Sequence, residues 1–251
     1  MKPISIQLYS LREEAQKDFT AVLRSVADMG YRGVEPAGLF DLKPSDARKL
    51  VEDLGMVVSS NHGPWPNKDN LQEVIDVAGS LATDLVVCGW GAKDFVDEDA
   101  IKSTAELANM MVERLGSAEL KLAVHNHYWE FTRVGGRLAY DIFMDQCPGL
   151  LSELDTYWSS NFGENDPVEQ VSKYKHRLPL LHVKDGPLVK DEALQAVGLG
   201  KMDIPAVVNA TDEDVLQWVI VEIDRCDTDM TAAVAASYHF LVQNNLALGN
   251  K

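Results

Sequence analysis

At 251 residues, with 46% hydrophobic and 25% charged positions, the chain carries ample material for a buried core, as one large α/β domain or two small ones. A net charge of −16 opposes phosphate backbones, and the lysines and arginines are scattered rather than grouped, so a nucleic-acid partner is disfavoured. Cys88, Cys147 and Cys226 lie far apart and in no CxxC pair, which argues against a disulfide framework or a thiolate zinc site and fits a reducing compartment.

In chain order, short apolar runs alternate with amphipathic stretches. Strand Ile4–Tyr9 begins so near the first residue that no signal peptide is expected, and no apolar run approaches the ~20 residues of a membrane span; a cytoplasmic location is the expectation. A helix led by Phe19 stops at Gly30, strand Gly33–Pro36 follows, and Ser45 caps a helix running to Leu54 and Gly55. Strand Met56–Asn61, helix Leu71–Leu81, strand Leu85–Cys88 and helix Asp99–Leu115 come next. The series continues with strand Leu120–His127, helix Ala139–Gln146, strand Leu150–Asp155, helix Pro167–Tyr174 and strand Leu180–Val183. It ends with a weakly patterned helix at Ile204–Ala210, strand Trp218–Ile223 and helix Thr228–Asn244.

Strands alternating with helices imply a parallel sheet with right-handed crossovers. No linker interrupts the series, so residues 1–251 are expected to form a single α/β domain, a (β/α)8 TIM barrel, with an open doubly wound sheet as the alternative. A dinucleotide fold needs GxGxxG after the first strand, where this chain has Tyr9-Ser10-Leu11-Arg12.

Polar residues gather at the C-terminal strand ends: Gln7 and Tyr9, Glu35, Asn61 and His62, Trp90, His125-Asn126-His127, Asp155, His182 and Lys184, Glu222 and Asp224. In a barrel these ends open into one mouth, where the active sites of such folds lie. His125 and His127 share a strand face, as do His182 and Lys184, and Glu222 and Asp224. Buried charges are costly, and a bound cation offsets several at once; a mixed carboxylate–imidazole set suits Mn²⁺, Zn²⁺, Co²⁺ or Mg²⁺ without choosing among them. Duller roles compete. Asp155 can cap a loop, and His182 can be a satisfied core histidine. Glu153, one layer below Asp155, can back a ligand or join a barrel-core ion pair, while His176 and His239 sit in helical stretches and read as structural or surface residues. Glu222, closing the apolar run Val219-Ile220-Val221, is hardest to assign to packing.

At these residues the chain resembles the sugar phosphate isomerase/epimerase family, the xylose-isomerase-like barrels that also include inosose dehydratases and endonuclease IV proteins. The resemblance runs nearly end to end: Gln7-Leu8-Tyr9-Ser10-Leu11-Arg12, Gly30 to Glu35, His125-Asn126-His127-Tyr128-Trp129-Glu130-Phe131, Leu154 to Trp158, Leu181-His182-Val183-Lys184-Asp185, Val197 to Pro205, and Val221 to Asp224. HNHxxEF, LDTYW and HVKD in this order are the specific part.

The resemblance implies one metal ligand from each of the last four strands: Asp155, His182 and Glu222, preceded by Glu130 folding back from its loop, with His125 or His127 as alternatives for that first position. It implies proton abstraction next to a carbonyl through an enediolate, by Glu222 and either Glu130 or His125, with Lys184 holding a substrate oxygen or phosphate. Glu35, His62, Trp90, His127 and Trp158 are the expected substrate contacts, Trp90, Trp129 and Trp158 being able to stack on a sugar or simply to pack. Leu199 departs from the polar residue common between the two glycines of its loop. The expected activity is a metal-dependent sugar or keto-sugar isomerase or epimerase. A lyase or dehydratase on a 3-keto-glycoside or inosose shares the chemistry, and a non-catalytic sugar-binding barrel is the contrasting class. Endonuclease activity is disfavoured by the acidic surface. The expected partner is a small-molecule sugar, with no nucleic acid and no membrane, and a homo-oligomer is left open.

Overall fold

The computed structural model describes residues 1–251. Nine parallel strands form one sheet: β1 Ile4–Gln7, β2 Gly33–Glu35, β3 Val57–Val58, β4 Asn61–His62, β5 Leu85–Cys88, β6 Lys121–His125, then β9 Leu151–Asp155, β10 Leu180–Val183 and β11 Trp218–Val221. A short antiparallel hairpin, β7 Arg133–Val134 and β8 Arg137–Leu138, turns over Gly135 and Gly136 outside that sheet. The sheet runs β3-β2-β1-β11-β10-β9-β6-β5-β4, and its two ends are consecutive in the chain. The architecture is a TIM barrel.

The expected third strand, Met56–Asn61, is where the structure departs from eight strands. β3 pairs with β2 and β4 pairs with β5, and the chain changes partner between them at Ser59-Ser60. Ser59 Oγ donates to the Val34 carbonyl at 3.1 Å, and Ser60 Oγ donates to Glu35 Oε2. Ser59 N keeps its own backbone bond to the Val34 carbonyl at 3.0 Å, Gly63 N bonds the Val87 carbonyl at 3.0 Å, and between them one strand becomes two short ones.

Nine α-helices return the chain between strands: α1 Arg12–Met29, α2 Pro44–Asp53, α3 Leu71–Leu81, α4 Glu98–Gly116, α5 Ala139–Gln146, α6 Thr156–Ser159, α7 Pro167–Tyr174, α8 Ile204–Asn209 and α9 Met230–Gln243. Inside α1, Asp18 is extended (φ −157, ψ 91) and its Oδ1 accepts from Ala21 N at 2.9 Å. That internal cap marks the start of the amphipathic stretch from Phe19, and Arg12–Lys17 forms an extra segment before it. Gly30 ends the helix at φ +106, where an added Cβ would lie 2.4 Å from Tyr238 Oη.

Strand parity divides the core. Sixty buried residues, including Ile4, Ile6, Val34, Val86, Leu154, Leu181 and Val221, pack between strands and helices. The alternate residues Leu85, Val87, Ala123, Leu180 and Ile220 form a separate small cluster, joined by Leu151 and Trp218. Two residues further along the same strands come His125, Glu153, His182 and Glu222, so ionisable groups rise from an apolar floor.

Candidate metal and acid–base centre

The floor leads into two ionisable layers that meet at His182. The lower one contains Glu35, His125, Glu153 and His182, all buried, with His62 at the edge and 24% exposed. His182 Nε2 lies 3.2 Å from Glu35 Oε1 and 3.2 Å from Glu153 Oε1. The other oxygen of Glu153 is 3.0 Å from His125 Nδ1. His62 Nδ1 reaches Glu35 Oε1 at 3.5 Å and Glu153 Oε2 at 3.7 Å. Gln7 Nε2 and Ser60 Oγ donate to the two oxygens of Glu35 and fix its plane.

The upper layer is organised by Lys184, which is fully buried. Its Nζ lies 2.9 Å from Asp155 Oδ2, 2.9 Å from Glu222 Oε2 and 2.7 Å from Asp224 Oδ2. His182 Nδ1 joins the two layers through Glu222 Oε2 at 2.9 Å. Asp155 splits its work: Oδ1 accepts from Trp158 N at 2.8 Å and caps α6, while Oδ2 faces the ammonium. Two readings of that aspartate, cap and charged member of the cluster, therefore apply to different oxygens of one carboxylate.

Burial and charge act against each other throughout. Burial alone would lower the Lys184 and His182 pKa values, but facing carboxylates hold both well above their ordinary ranges: Asp155, Asp224 and Glu222 for the lysine, Glu153 and Glu35 for the histidine. Glu222 is pulled down against its burial by Lys184 and His182, and Glu35 by His182. Glu153 is pushed up by burial and by Glu35, and Asp155 by burial against the pull of Lys184. His125 is pushed down by burial and by His182 and His62, which keeps it neutral near pH 7.

His125, Asp155, His182 and Glu222 each offer a ligand atom within 4.8 Å of the others. The same holds for His62, His125 and Glu153, and for Glu35, Glu153 and His182. Among these residues Glu153 Oε1, Asp155 Oδ2 and His182 Nε2 are buried without an aligned hydrogen bond. Such orphaned donor atoms of mixed N/O character fit a divalent cation.

Glu130 does not join the group. Its Oε2 accepts from His127 N at 2.8 Å, an i to i+3 contact that turns the carboxylate back into its own loop, where burial raises its pKa. His125 occupies the fifth-strand position of the four-residue group instead. His127 stacks on Trp129 (centroids 4.1 Å, 15°). Trp90 is buried against Trp65 and Phe143, a packing position. Trp158 covers Lys184, with Nζ 5.3 Å from the ring centroid, and lines a cavity of about 240 Å³ together with Tyr128, Phe162, Asp224 and Arg225. A larger cavity of about 640 Å³ lies between the 187–199 loop and α9, and no member of the cluster lines it.

Asp185, the last residue of HVKD, is a loop organiser that the pattern of strand ends did not reveal. Its carboxylate accepts from the N–H groups of Gly186, Gly198, Gly200 and Met202 at 2.8–3.1 Å. A Cβ at Gly200 would fall 2.0 Å from Asp185 Oδ1, so only glycine lets the loop close this tightly. Leu199, the departure from the expected polar residue, projects from this loop and is 70% exposed.

A parallel barrel with a buried carboxylate–imidazole cluster at the C-terminal ends of its strands defines the class to which the molecule belongs. The model of the xylose isomerase-like TIM barrel family matches residues 23–241, and the chain belongs to that family. Among solved structures it is similar to a sugar phosphate isomerase/epimerase from Parabacteroides distasonis, at 25% identity and TM-score 0.81, over 98% of this chain and 96% of that one. A probable 3-DHS dehydratase of petrobactin synthesis from Bacillus anthracis aligns at 11% identity and TM-score 0.75, over 96% and 99% of the chains. The IOLI protein with a binding zinc atom aligns at 14% identity and TM-score 0.74, over 96% and 97%. The last two likenesses are of fold alone. No curated protein matches the sequence.

Proposed function

We propose that the protein is a divalent-metal-dependent sugar or keto-sugar isomerase or epimerase that removes a proton from the carbon beside a carbonyl. The observation that carries this reading is the buried cluster around His182, whose orphaned nitrogen and carboxylate oxygens suit a cation. His182 would be central to holding it, either with Asp155, Glu222 and His125 or with Glu35 and Glu153. When bound, the cation supplies Lewis acidity, polarising the carbonyl and stabilising the negative charge of the enediolate.

The remaining chemistry belongs to the chain. Glu222, held ionised by Lys184 and His182, is the base that takes the proton. His125, kept neutral by its surroundings and within 4.8 Å of the Glu222 ligand atom, accepts and returns a proton on the facing side. The Lys184 ammonium steadies a developing oxyanion. The face of Trp158 and the ring of Tyr128 flank the approach, where a sugar ring stacks. A lyase acting on a 3-keto-glycoside or inosose would use the same base, with a leaving group departing from the neighbouring carbon.

The test is solvent-deuterium incorporation by metal-loaded protein across ketoses and 3-keto-glycosides. Exchange at the carbon beside the carbonyl with net interconversion is the expected result. Exchange accompanied by loss of a leaving group would move the assignment to the lyase, and absence of exchange throughout the panel would defeat both.

A further inference from the structure

The aromatic cavity beside Lys184 adjoins the reacting groups without containing them. Trp158, whose ring lies over the Lys184 Nζ, and Asp224, 2.7 Å from that Nζ, line it together with Tyr128, Tyr157, Phe162 and Leu194, whereas His125, Asp155, His182 and Glu222 do not. Whatever fills it is therefore a part of the substrate other than the reacting carbon. Its volume of about 240 Å³ falls below the roughly 300–1,000 Å³ of pockets for drug-sized ligands and suits a single ring.

Three half-buried rings form one wall. Their centroids are 5.3 Å apart for Tyr128 and Phe162, 5.9 Å for Trp158 and Phe162, and 6.1 Å for Tyr128 and Trp158. Phe162 reaches this place through a left-handed backbone: Asn161 has φ 44 and Phe162 φ 59, a conformation that a bulky residue rarely adopts. The turn is tied down around it. Asn161 Nδ2 donates to Glu164 Oε2 at 2.8 Å, Asn165 Nδ2 to the Phe131 carbonyl at 3.1 Å, and Asn165 N to the Ser160 carbonyl at 2.9 Å. Strain held in this way collects at positions that grip ligands, and the ring it delivers completes a wall suited to the apolar side of a sugar or to an aryl group.

The charge around the mouth opposes a phosphate. The cavity is lined by Asp191, Glu192 and Asp224 against the single guanidinium of Arg225, which donates to the Asp191 carbonyl at 2.6 Å. Lys184 is already faced by three carboxylates, and Lys190 lies over the Tyr128 ring, 5.3 Å from its centroid. Barrels of this kind commonly bind phosphate on the loops after the seventh and eighth strands. The loop after β10, the seventh strand when β3 and β4 count as one, directs the N–H groups of Gly186, Gly198, Gly200 and Met202 at Asp185, so its anion position is filled by the chain's own carboxylate.

We infer that the substrate is a neutral glycoside of a keto-sugar, with its keto ring at Glu222 and Lys184 and its second ring, aryl or sugar, stacked on Tyr128, Trp158 and Phe162. The inference rests on the carbonyl chemistry proposed above and names the substrate class within it. A glycosidic link keeps the sugar ring closed, so the carbonyl is a ring ketone.

Calorimetric binding to the full-length protein supplemented with Mn²⁺ tests it, using 3-keto-glucose, its 6-phosphate, phenyl 3-keto-glucoside and a disaccharide oxidised at C3 of its terminal glucose. At least one two-ring compound is expected to bind at least tenfold more tightly than 3-keto-glucose, and the 6-phosphate at least tenfold more weakly. The tighter of the two-ring compounds identifies the second ring as aryl or sugar. Phe162→Gly, which removes the ring and suits the left-handed backbone, is expected to shrink the two-ring preference to less than about threefold. Equal affinity for one- and two-ring compounds, a preference that survives Phe162→Gly, a phosphate bound as tightly as the free sugar, or no binding at all would each overturn the inference. Binding is read without turnover, so a two-ring preference in protein that exchanges no deuterium keeps the subsite and defeats the reaction. Exchange without that preference does the opposite.

Discussion

Two adjoining layers of the same barrel mouth manage buried negative charge in different ways. The upper layer sets one covalently attached ammonium against three carboxylates, from Asp155, Glu222 and Asp224. The lower layer brings Glu35 and Glu153 against imidazoles and leaves Glu153 Oε1 and His182 Nε2 unpartnered. An attached cation cannot leave, so the upper layer carries a positive charge in every state of the protein, whereas the positive charge of the lower one depends on protonation of its imidazoles. The difference teaches that a single residue choice, lysine two positions after His182 on the same strand face, gives Asp155, Glu222 and Asp224 a resident positive charge that Glu35 and Glu153 lack.

Lys184→Met is the most damaging way to break that contrast. It removes the only ammonium from the buried carboxylates Asp155 and Glu222, and loss of one partner from a buried ion pair costs about 3–5 kcal/mol. For a domain of this size that lowers the melting temperature on the order of 10 °C. Thermal melts in chelator read the effect directly. A variant melting within about 2 °C of wild type would mean that the upper carboxylates do not need the ammonium.

A pH series sharpens the contrast, because each layer pairs a carboxyl of raised pKa with one of lowered pKa, Glu153 with Glu35 below and Asp155 with Glu222 above. Glu153, Asp155 and His182 all have raised pKa values, so over a range above about 4 for the carboxyls and above about 6.5 for the imidazole the folded chain holds protons that the unfolded chain has released. Stability of the chelated protein must therefore increase as pH falls from 8 to about 6.5, by about 1.4 kcal/mol per pH unit for each extra proton held; below about 6.5 the unfolded chain also protonates His125, whose folded value is lowered, and that offsets one of those protons. Below about 4 the sign reverses, because Glu35 and Glu222 have lowered values and resist protons that the unfolded chain already carries. Ligands must shed protons to bind an ion, so metal-loaded protein should show the opposite slope between pH 5 and 8. Melting temperatures recorded with and without metal across this range decide the matter, and parallel slopes would contradict it.

The barrel itself was legible because its signal is repeated: eight apolar runs, each followed by a helical pattern, with polar residues selecting one strand end. What escaped depends on contacts distant in sequence. Nothing local says that the strand divides at Ser59-Ser60, because there the chain changes partner from β2 to β5, elements distant in sequence. The hairpin at Arg133–Leu138, by contrast, has a local signal in Gly135-Gly136. Asp155 caps α6 with one oxygen and faces Lys184 with the other, a division that no local pattern shows. In the site, parity along strands brings out His125, Asp155, His182 and Glu222, which the fold collects within 4.8 Å. Glu130 could not be placed that way, since it lies in a loop whose course is set by the bond to His127 N. Nor could parity show that Lys184 sits among three carboxylates or that Asp185 gathers four backbone N–H groups.

The mildest intervention tests whether the upper layer is a cooperative network or merely a list of pairs. Asp224 makes the shortest of the three contacts to Lys184, 2.7 Å, yet its side chain is 33% exposed while Asp155 and Glu222 are buried. Solvent screens an interaction at the rim, so Asp224→Asn should cost less than about 1 kcal/mol despite the better distance. The ammonium keeps two buried carboxylates, and the amide can still face it through its carbonyl oxygen. A melting temperature lowered by no more than about 3 °C is expected in chelator. A loss comparable to that of Lys184→Met would show that the three carboxylates act as one unit with the lysine, and that the rim aspartate is as much a part of the buried charge balance as the two beneath it.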